Sequence, residues 1–444
     1  MKCNPVSPDK IWAEPDDQGA TILNSIRGAQ YSVDISIYEL GDDNIVAALQ
    51  MAKQNGVNIR IMFNGQFFVP SNSNKFDQQY AVIKLLNEAP GNGDVEFHWS
   101  SNNFNLTHQK TIIIDAHNSD GILFNVSQLP GTAEILVLTN NLNAYGWETQ
   151  AGSTQPQPLQ FWGNGYPKNG KGTRDFGVSI RTPGLVARVA KVFDSDFSCA
   201  DSGNTNGLKD SRDGLVWSNG TTGISPALPG YYPADGAYPN YSDIGNFPDA
   251  VDQGNAREAH IDIIKGATQT LIVYNEEMND NQIVQCLVHA AKRGVNLRVL
   301  MTGSTTSTGG KTKYNYADNF DDLVNAGAQV RLFPNTKDFM YIHAKVISAD
   351  AGTDKAAAFM GSQNISGNSL NFNRELGIIL AGQDTSHFSK VFETDWSTEG
   401  LIDWKVESGY EPSGPDYHYK RYKGEGEGEA FIPPMPCGTI IPPD

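Results

Sequence analysis

A chain of 444 residues, 39% hydrophobic and 19% charged, holds enough apolar material for two or three domains with ordinary cores. Its formal net charge of −17 at pH 7 disfavours broad binding along a nucleic-acid backbone, which needs an excess of Lys and Arg, while leaving room for a small basic pocket. No apolar run approaches the ~18–20 residues of a membrane span, and the opening MKCNPVSPDK carries no apolar stretch of signal-peptide type.

From residue 17 to 65 the pattern reads helix, strand, helix, strand. ATILNSIRGA has helical period and YSVDISIYEL alternates as a strand. NIVAALQMAKQNG is an amphipathic helix ended by Gly56, and VNIRIMFNG is a second strand. The same order returns at 259–303 in AHIDIIKGA, TQTLIVYNEE, NQIVQCLVHAAKRG and VNLRVLMTG. At a fixed offset of 238, Ile26 meets Ile264, Gly28 meets Gly266, Gly56 meets Gly294, Arg60 meets Arg298 and Gly65 meets Gly303. Downstream, VFDSDF (192–197) matches VFETDW (391–396). The chain is a duplication of an α/β unit of about 200 residues. Alternating helices and strands predict mostly parallel sheets flanked by helices, with sites at strand ends and in loops.

The organisation expected is a first repeat over 1–200, a connection over 201–250, a second repeat over 251–400 and an extended, acidic, Pro-rich tail over 401–444. Segments 140–173 and 304–316 read as long loops at the edge of a site, or as irregular connections filled with aromatics and small residues. Among four cysteines there is no CxxC or zinc spacing. Cys286 falls in a helical apolar pattern and reads as a buried thiol. Cys3, Cys199 and Cys437 sit in loop or terminal contexts, where one bridge can form in an oxidising compartment. A mature secreted or periplasmic chain is the expectation.

Two phrases, THQKTIIID (107–115) and IHAKVISAD (342–350), both spell His-x-Lys-x-x-x-x-Asp. Strand alternation turns His108 and Lys110 to one face and Asp115 to the other, and likewise His343, Lys345 and Asp350. An imidazole beside an ammonium suits a reacting phosphate: one supplies a nucleophile or proton, the other holds negative oxygens. Each phrase is followed by a small-polar cluster and an acidic residue. These are Thr139, Asn141 and Asp175 in the first half, and Ser362, Asn364 and Glu375 in the second. The hydroxyls and amides can bind phosphoryl oxygens, and a carboxylate near a catalytic His can accept its second ring N–H. Two-fold juxtaposition of the repeats would merge both phrases into one site. His98, His117, His260, His289, His387 and His418 have no such repeated surroundings and read as structural.

The doubled HxKxxxxD motif, the GSxN-like stretch after the second copy and the duplicated layout resemble the phospholipase D superfamily over residues 17–396. LVWSNG and YNEEM are similar to segments of its bacterial phospholipase and cardiolipin-synthase-like branch. The resemblance implies two tandem α/β repeats related by a pseudo-two-fold and sharing one active site. It implies metal-independent phosphoryl transfer with no cofactor: His108 attacks phosphorus, His343 protonates the departing alcohol, and Lys110, Lys345, Asn141 and Asn364 stabilise the non-bridging oxygens. Asp115 and Asp350 are expected to anchor strand ends. Thr139 and Asp175 depart from the family's Ser and Glu, which bears on fine geometry.

The resulting expectation is a peripheral, monomeric phospholipase D acting on glycerophospholipids, with hydrolysis and head-group exchange both open. The acidic surface and aromatic loops favour zwitterionic lipid. A nuclease of the same superfamily would want more basic surface than KNGKGTR, KTK and AAKRG provide. A cardiolipin-synthase-like phosphatidyltransferase usually has membrane anchors. A non-catalytic binding protein fits poorly with both His and both Lys intact.

Overall fold

In a computed structural model the residues described are 5–65, 73–100, 104, 106–143, 171–198, 215–219, 256–308 and 311–405. The first repeat contributes β1 (Lys10–Glu14), β2 (Ser32–Ile37), β3 (Asn58–Phe63), β4 (Val95–Trp99), β5 (Thr111–Ile114), β6 (Glu134–Leu138) and β7 (Thr173–Ile180), in the spatial order β1-β7-β6-β5-β2-β3-β4. The second contributes β8 (Leu215–Asn219), β9 (Thr270–Tyr274), β10 (Asn296–Gly303), a two-stranded ribbon of β11 (Thr305–Thr308) and β12 (Lys311–Tyr314), then β13 (Gln329–Pro334), β14 (Tyr341–Ile342), β15 (Val346–Ala349), β16 (Ala357–Gly361), β17 (Arg374–Ala381) and β18 (Ile402–Asp403). Its sheet runs β18-β13-β10-β9-β15-β16-β17-β8, so the central strands of the two sheets correspond one to one.

The sheets are mixed. Strands β2, β3 and β4 are parallel, as βαβ crossovers require, while β5, β6 and β7 form an antiparallel meander on the other side of β2. Strands β9, β10 and β13 repeat the parallel part, and β15, β16 and β17 the meander. Each motif aspartate closes the strand between these two parts.

Local signals fix the helices. Asp42 caps the Asp43–Gln54 helix, accepting from Ile45 N at 2.8 Å, and Asp280 caps Asn281–Lys292, accepting from Ile283 N at 3.0 Å. Gly56 (φ 83°) and Gly294 (φ 88°) end those helices in the left-handed conformation.

Strand alternation sorts the core into layers. Val33, Ile35 and Ile37 of β2 face outward into a cluster with Ile45, Leu49 and Ile22 from the helices, and Leu271 and Val273 of β9 do the same in the second half. The opposite faces meet each other. Ile113, Val137, Phe176 and Val178 from the first sheet share one apolar cluster with Tyr274, Val346, Met360 and Ile378 from the second. The Pro183–Ser198 and Ser386–Trp396 helices insert Val189, Phe193, Phe388 and Phe392 into it. The halves are therefore joined by a buried apolar centre, which excludes water and fixes their relation.

Two expectations change here. Within the 304–316 segment, Thr305–Thr308 and Lys311–Tyr314 pair as an antiparallel ribbon rather than forming an irregular loop, their Thr and Tyr residues favouring extended backbone. Cys286 is fully buried on its helix but disulfide-bonded rather than a free thiol; its partner lies outside the described residues. Most of the 140–173 segment, the 201–250 connection apart from β8, and the tail beyond 405 also lie outside them.

Candidate active site

Each His-x-Lys segment is stitched to the other half of the chain. The amides of His108 and Gln109 donate to the carbonyl of Arg374 at 3.0 and 2.8 Å, and those of His343 and Ala344 donate to the carbonyl of Arg174 at 3.1 and 2.8 Å. The residue after each arginine is the candidate carboxylate, so the pairs exchange. His108 Nδ1 lies 3.1 Å from both oxygens of Glu375, and His343 Nδ1 lies 2.9 Å from Asp175 Oδ1. A carboxylate at Nδ1 fixes that nitrogen as the donor and leaves Nε2 to react.

The arginines face the other way along their strands and clamp the halves. Arg374 holds Asp196 through Nε at 2.7 Å and Nη2 at 3.0 Å. Arg174 holds Asp395 at 2.7 and 2.9 Å. The aspartates belong to the VFDSDF and VFETDW repeats, and all four side chains are nearly inaccessible to solvent.

Both lysines are fully buried. Lys110 Nζ donates to the His108 carbonyl at 2.7 Å, and Lys345 Nζ donates to the His343 carbonyl. Burial, reinforced by the nearby charge of Lys345, brings the Lys110 ammonium down to about 7. Burial also lowers the His108 imidazole, against the pull of Glu375. Although burial pushes Asp175 and Glu375 up, their histidine partners hold both below the usual carboxylate range. Two buried ammonium groups, each beside an imidazole held by a carboxylate, can therefore take the non-bridging oxygens of a phosphodiester.

The hydroxyls expected to bind phosphate are committed elsewhere. Thr139 Oγ1 donates to Asp175 Oδ1 at 2.6 Å and accepts from Phe176 N at 2.8 Å; Thr173 Oγ1 holds the other oxygen at 2.6 Å. Ser362 Oγ accepts from Leu376 N at 3.1 Å and hydrogen-bonds Glu375, which is also held by Ser369 Oγ at 2.7 Å and Asn373 Nδ2 at 3.1 Å. The reason is topological. Strands β6 and β16 run antiparallel beside β7 and β17, so the first residue past each end lands against the carboxylate strand. Asn141 and Asn364 differ: the Oδ1 of each is buried and accepts no hydrogen bond among the described residues.

Asp115 and Asp350 sit at φ 51° and 50°. Asp115 accepts from the amides of Gln30, Tyr31 and Ser32 at 2.9, 2.7 and 3.1 Å. Asp350 accepts from those of Thr268, Gln269 and Thr270 at 2.8, 2.7 and 2.9 Å. Each ties its strand end to the turn entering β2 or β9. His117 is held between Asp34 and Asp194, both at 2.9 Å; against burial, those carboxylates raise it to about 9. His260 Nδ1 bonds the Ala256 carbonyl at 2.7 Å.

Sequence reasoning missed the residues just past β2 and β9. Tyr38 packs edge-on to His108 with ring centroids 5.2 Å apart, and Lys110 Nζ lies 5.6 Å from the Tyr38 ring. At the equivalent place Glu276 Oε2 lies 3.0 Å from Lys345 Nζ and 3.5 Å from His343 Nε2. Burial and the charge of Glu276 raise the adjacent Glu277 to about 7. The signal was available in the offset of 238, which sets Tyr38 opposite Glu276.

No curated protein matches the chain. Among solved structures, phosphatidylserine synthase from Haemophilus influenzae Rd KW20 shares the fold with a TM-score of 0.52 at 11% identity, over 92% of this chain and 90% of that one. Polyphosphate kinase from Porphyromonas gingivalis has a TM-score of 0.50 at 12% identity over 91% of this chain, which spans only 53% of the kinase's length. A phospholipase D family member, Nuc from Salmonella typhimurium, matches 34% of the chain at 20% identity with a TM-score of 0.27, covering 91% of its own. The family model described as cardiolipin synthase, PLD-like domain, matches residues 22–147 and 260–396, one segment per repeat and each containing one His-x-Lys motif. With more than half of its length matched in this way, the chain belongs to the phospholipase D-like family.

Proposed function

We propose that the protein is a phospholipase D, cleaving the distal phosphodiester of a glycerophospholipid to phosphatidic acid and the free head-group alcohol. The observation that carries this is the exchanged pairing of His108 with Glu375 and His343 with Asp175 beside Lys110 and Lys345. Nε2 of His108 attacks phosphorus, forming a P–N bond as the bond to the head-group oxygen breaks. That oxygen takes the proton from Nε2 of His343. His343, now neutral, removes a proton from water, whose oxygen displaces His108 and regenerates both rings. The ammonium groups of Lys110 and Lys345 and the amides of Asn141 and Asn364 stabilise the charge on the non-bridging oxygens.

The net charge of −17 supports lipid over nucleic acid as substrate. The disulfide at Cys286 supports an oxidising compartment. None of the described helices is long and apolar enough to cross a membrane. A second reading, phosphatidyl transfer to an acceptor alcohol, is favoured by the family's cardiolipin synthase description; it uses the same intermediate with an alcohol in place of water.

The test offers phosphatidylcholine vesicles, then single-stranded DNA, to wild type and His108→Ala with chelator present. Choline release should persist in chelator and fall at least about 10³-fold in the variant. Added ethanol giving phosphatidylethanol would show transfer. DNA cleavage with inert vesicles would move the chain to a nuclease, and activity untouched by the substitution would refute the mechanism.

A further inference from the structure

The two halves of the site are symmetric in His, Lys, Asn and carboxylate but not in Tyr38 and Glu276. Tyr38 gives the His108 side an aromatic edge. Glu276 gives the His343 side a carboxylate whose Oε2 lies 3.0 Å from Lys345 Nζ, 3.5 Å from His343 Nε2 and 3.5 Å from Asn364 Nδ2. Its other oxygen accepts from the Tyr341 hydroxyl at 3.1 Å. Lys345 and Asn364 are the groups that would hold a phosphoryl oxygen, and His343 Nε2 is the atom that would protonate the departing alcohol.

A bound phosphodiester thus competes with Glu276 for its own partners. It would leave a carboxylate, only 19% exposed, facing another anion without its ammonium. An uncompensated charge in such a place is strongly unfavourable unless a new cation arrives with the substrate. The alcohol leaving at His343 Nε2 lies beside Glu276. In an O–C–C–N⁺ chain the nitrogen is roughly 3–4 Å from the ester oxygen, by ordinary bond lengths.

We propose that Glu276 is the specificity-determining residue of the site and selects phosphodiesters whose departing alcohol carries an ammonium two carbons from the ester oxygen, the ethanolamine and choline class. The inference rests on the phospholipase reading above and names its substrate class. Glu276 acts through direct pairing with the ammonium, which replaces Lys345 as its partner when phosphate takes the lysine.

Mixed neutral-detergent micelles at equal low mole fraction of phosphatidylethanolamine or phosphatidylglycerol separate the outcomes, since lipid dilution holds surface charge small. Wild type should favour phosphatidylethanolamine by at least tenfold in kcat/KM. Glu276→Gln should cut that ratio at least tenfold, through loss on phosphatidylethanolamine, while Glu276→Asp restores part of it. An unchanged ratio, or equal loss on both lipids, with wild type cutting both, overturns the inference and leaves the phospholipase reading standing. Turnover of neither lipid by wild type overturns both. Should Glu276→Gln not fold, wild type alone decides: ethanolamine must inhibit phosphatidylglycerol turnover more than ethylene glycol does, and equal inhibition overturns the inference.

Discussion

Replacing Lys110 by Met should make the protein more stable near pH 6 while destroying its activity. Lys110 is fully buried and its ammonium is brought down to about 7, by burial first and by Lys345 second. In the unfolded chain the same group titrates near its ordinary value of 10.5. The folded pKa is the lower one, so between about 7 and 10.5 the unfolded state binds more protons and stability rises with pH. Below that window the folded state must carry a charge it disfavours. Each tenfold loss of proton affinity on folding costs about 1.4 kcal/mol, which comes to on the order of 5 kcal/mol at pH 6 and shrinks to about 2 kcal/mol at pH 9.

Met fills similar volume and carries no charge. It leaves the His108 carbonyl without its 2.7 Å donor, a loss of about 1–3 kcal/mol that does not vary with pH. Urea unfolding of wild type and Lys110→Met at pH 6, 7.5 and 9 measures the difference. The stability of the variant relative to wild type should fall by about 2–3 kcal/mol from pH 6 to pH 9. Turnover of phosphatidylcholine should drop at least about 10²-fold with the loss of charge stabilisation. A relative stability that is flat or rises across that range would refute the reasoning, because the ammonium would then not be carried at a cost in the fold.

Asp196→Asn should destabilise the protein by about 3–5 kcal/mol in chemical unfolding, since it strands the buried Arg374 guanidinium; the double variant Asp196→Leu with Arg374→Met should recover most of the loss, and equal losses in single and double variants would refute a paired role. Thr139→Val should reduce kcat about 10- to 100-fold by loosening Asp175 and so His343, with inorganic phosphate inhibiting as in wild type; weakened phosphate inhibition would instead give the hydroxyl a direct contact with substrate. Asp115→Ala should lower the melting temperature with little change in KM, because its carboxylate serves the amides of Gln30, Tyr31 and Ser32 rather than the pocket.

Much of this protein is determined by local sequence. Capping aspartates, terminating glycines and strand alternation repeat in both halves, so the helices at 43–54 and 281–292 and the strands before and after them can be read directly. His-x-Lys and the later carboxylates are legible for the same reason: chemistry-bearing residue types recur in the same order. What no local pattern contains is the partner of each. Glu375 serves His108, 267 positions earlier in the chain, and Asp175 serves His343, 168 later. That exchange exists because the motif segments lie along the other half's strand, held by the Arg174–Asp395 and Arg374–Asp196 clamps around a common apolar core. The fate of the hydroxyls follows from the same packing, since a Thr or Ser past a strand end is available to phosphate or consumed by a neighbouring carboxylate according to which strand lies beside it. Glu276 is the sharpest case. In sequence it is one acid in YNEEM; only the tertiary fold sets its oxygen against Lys345, His343 and Asn364, turning a strand-end residue into part of the pocket. Periodicity and repetition report which face a side chain takes, and packing between distant segments decides what that face meets.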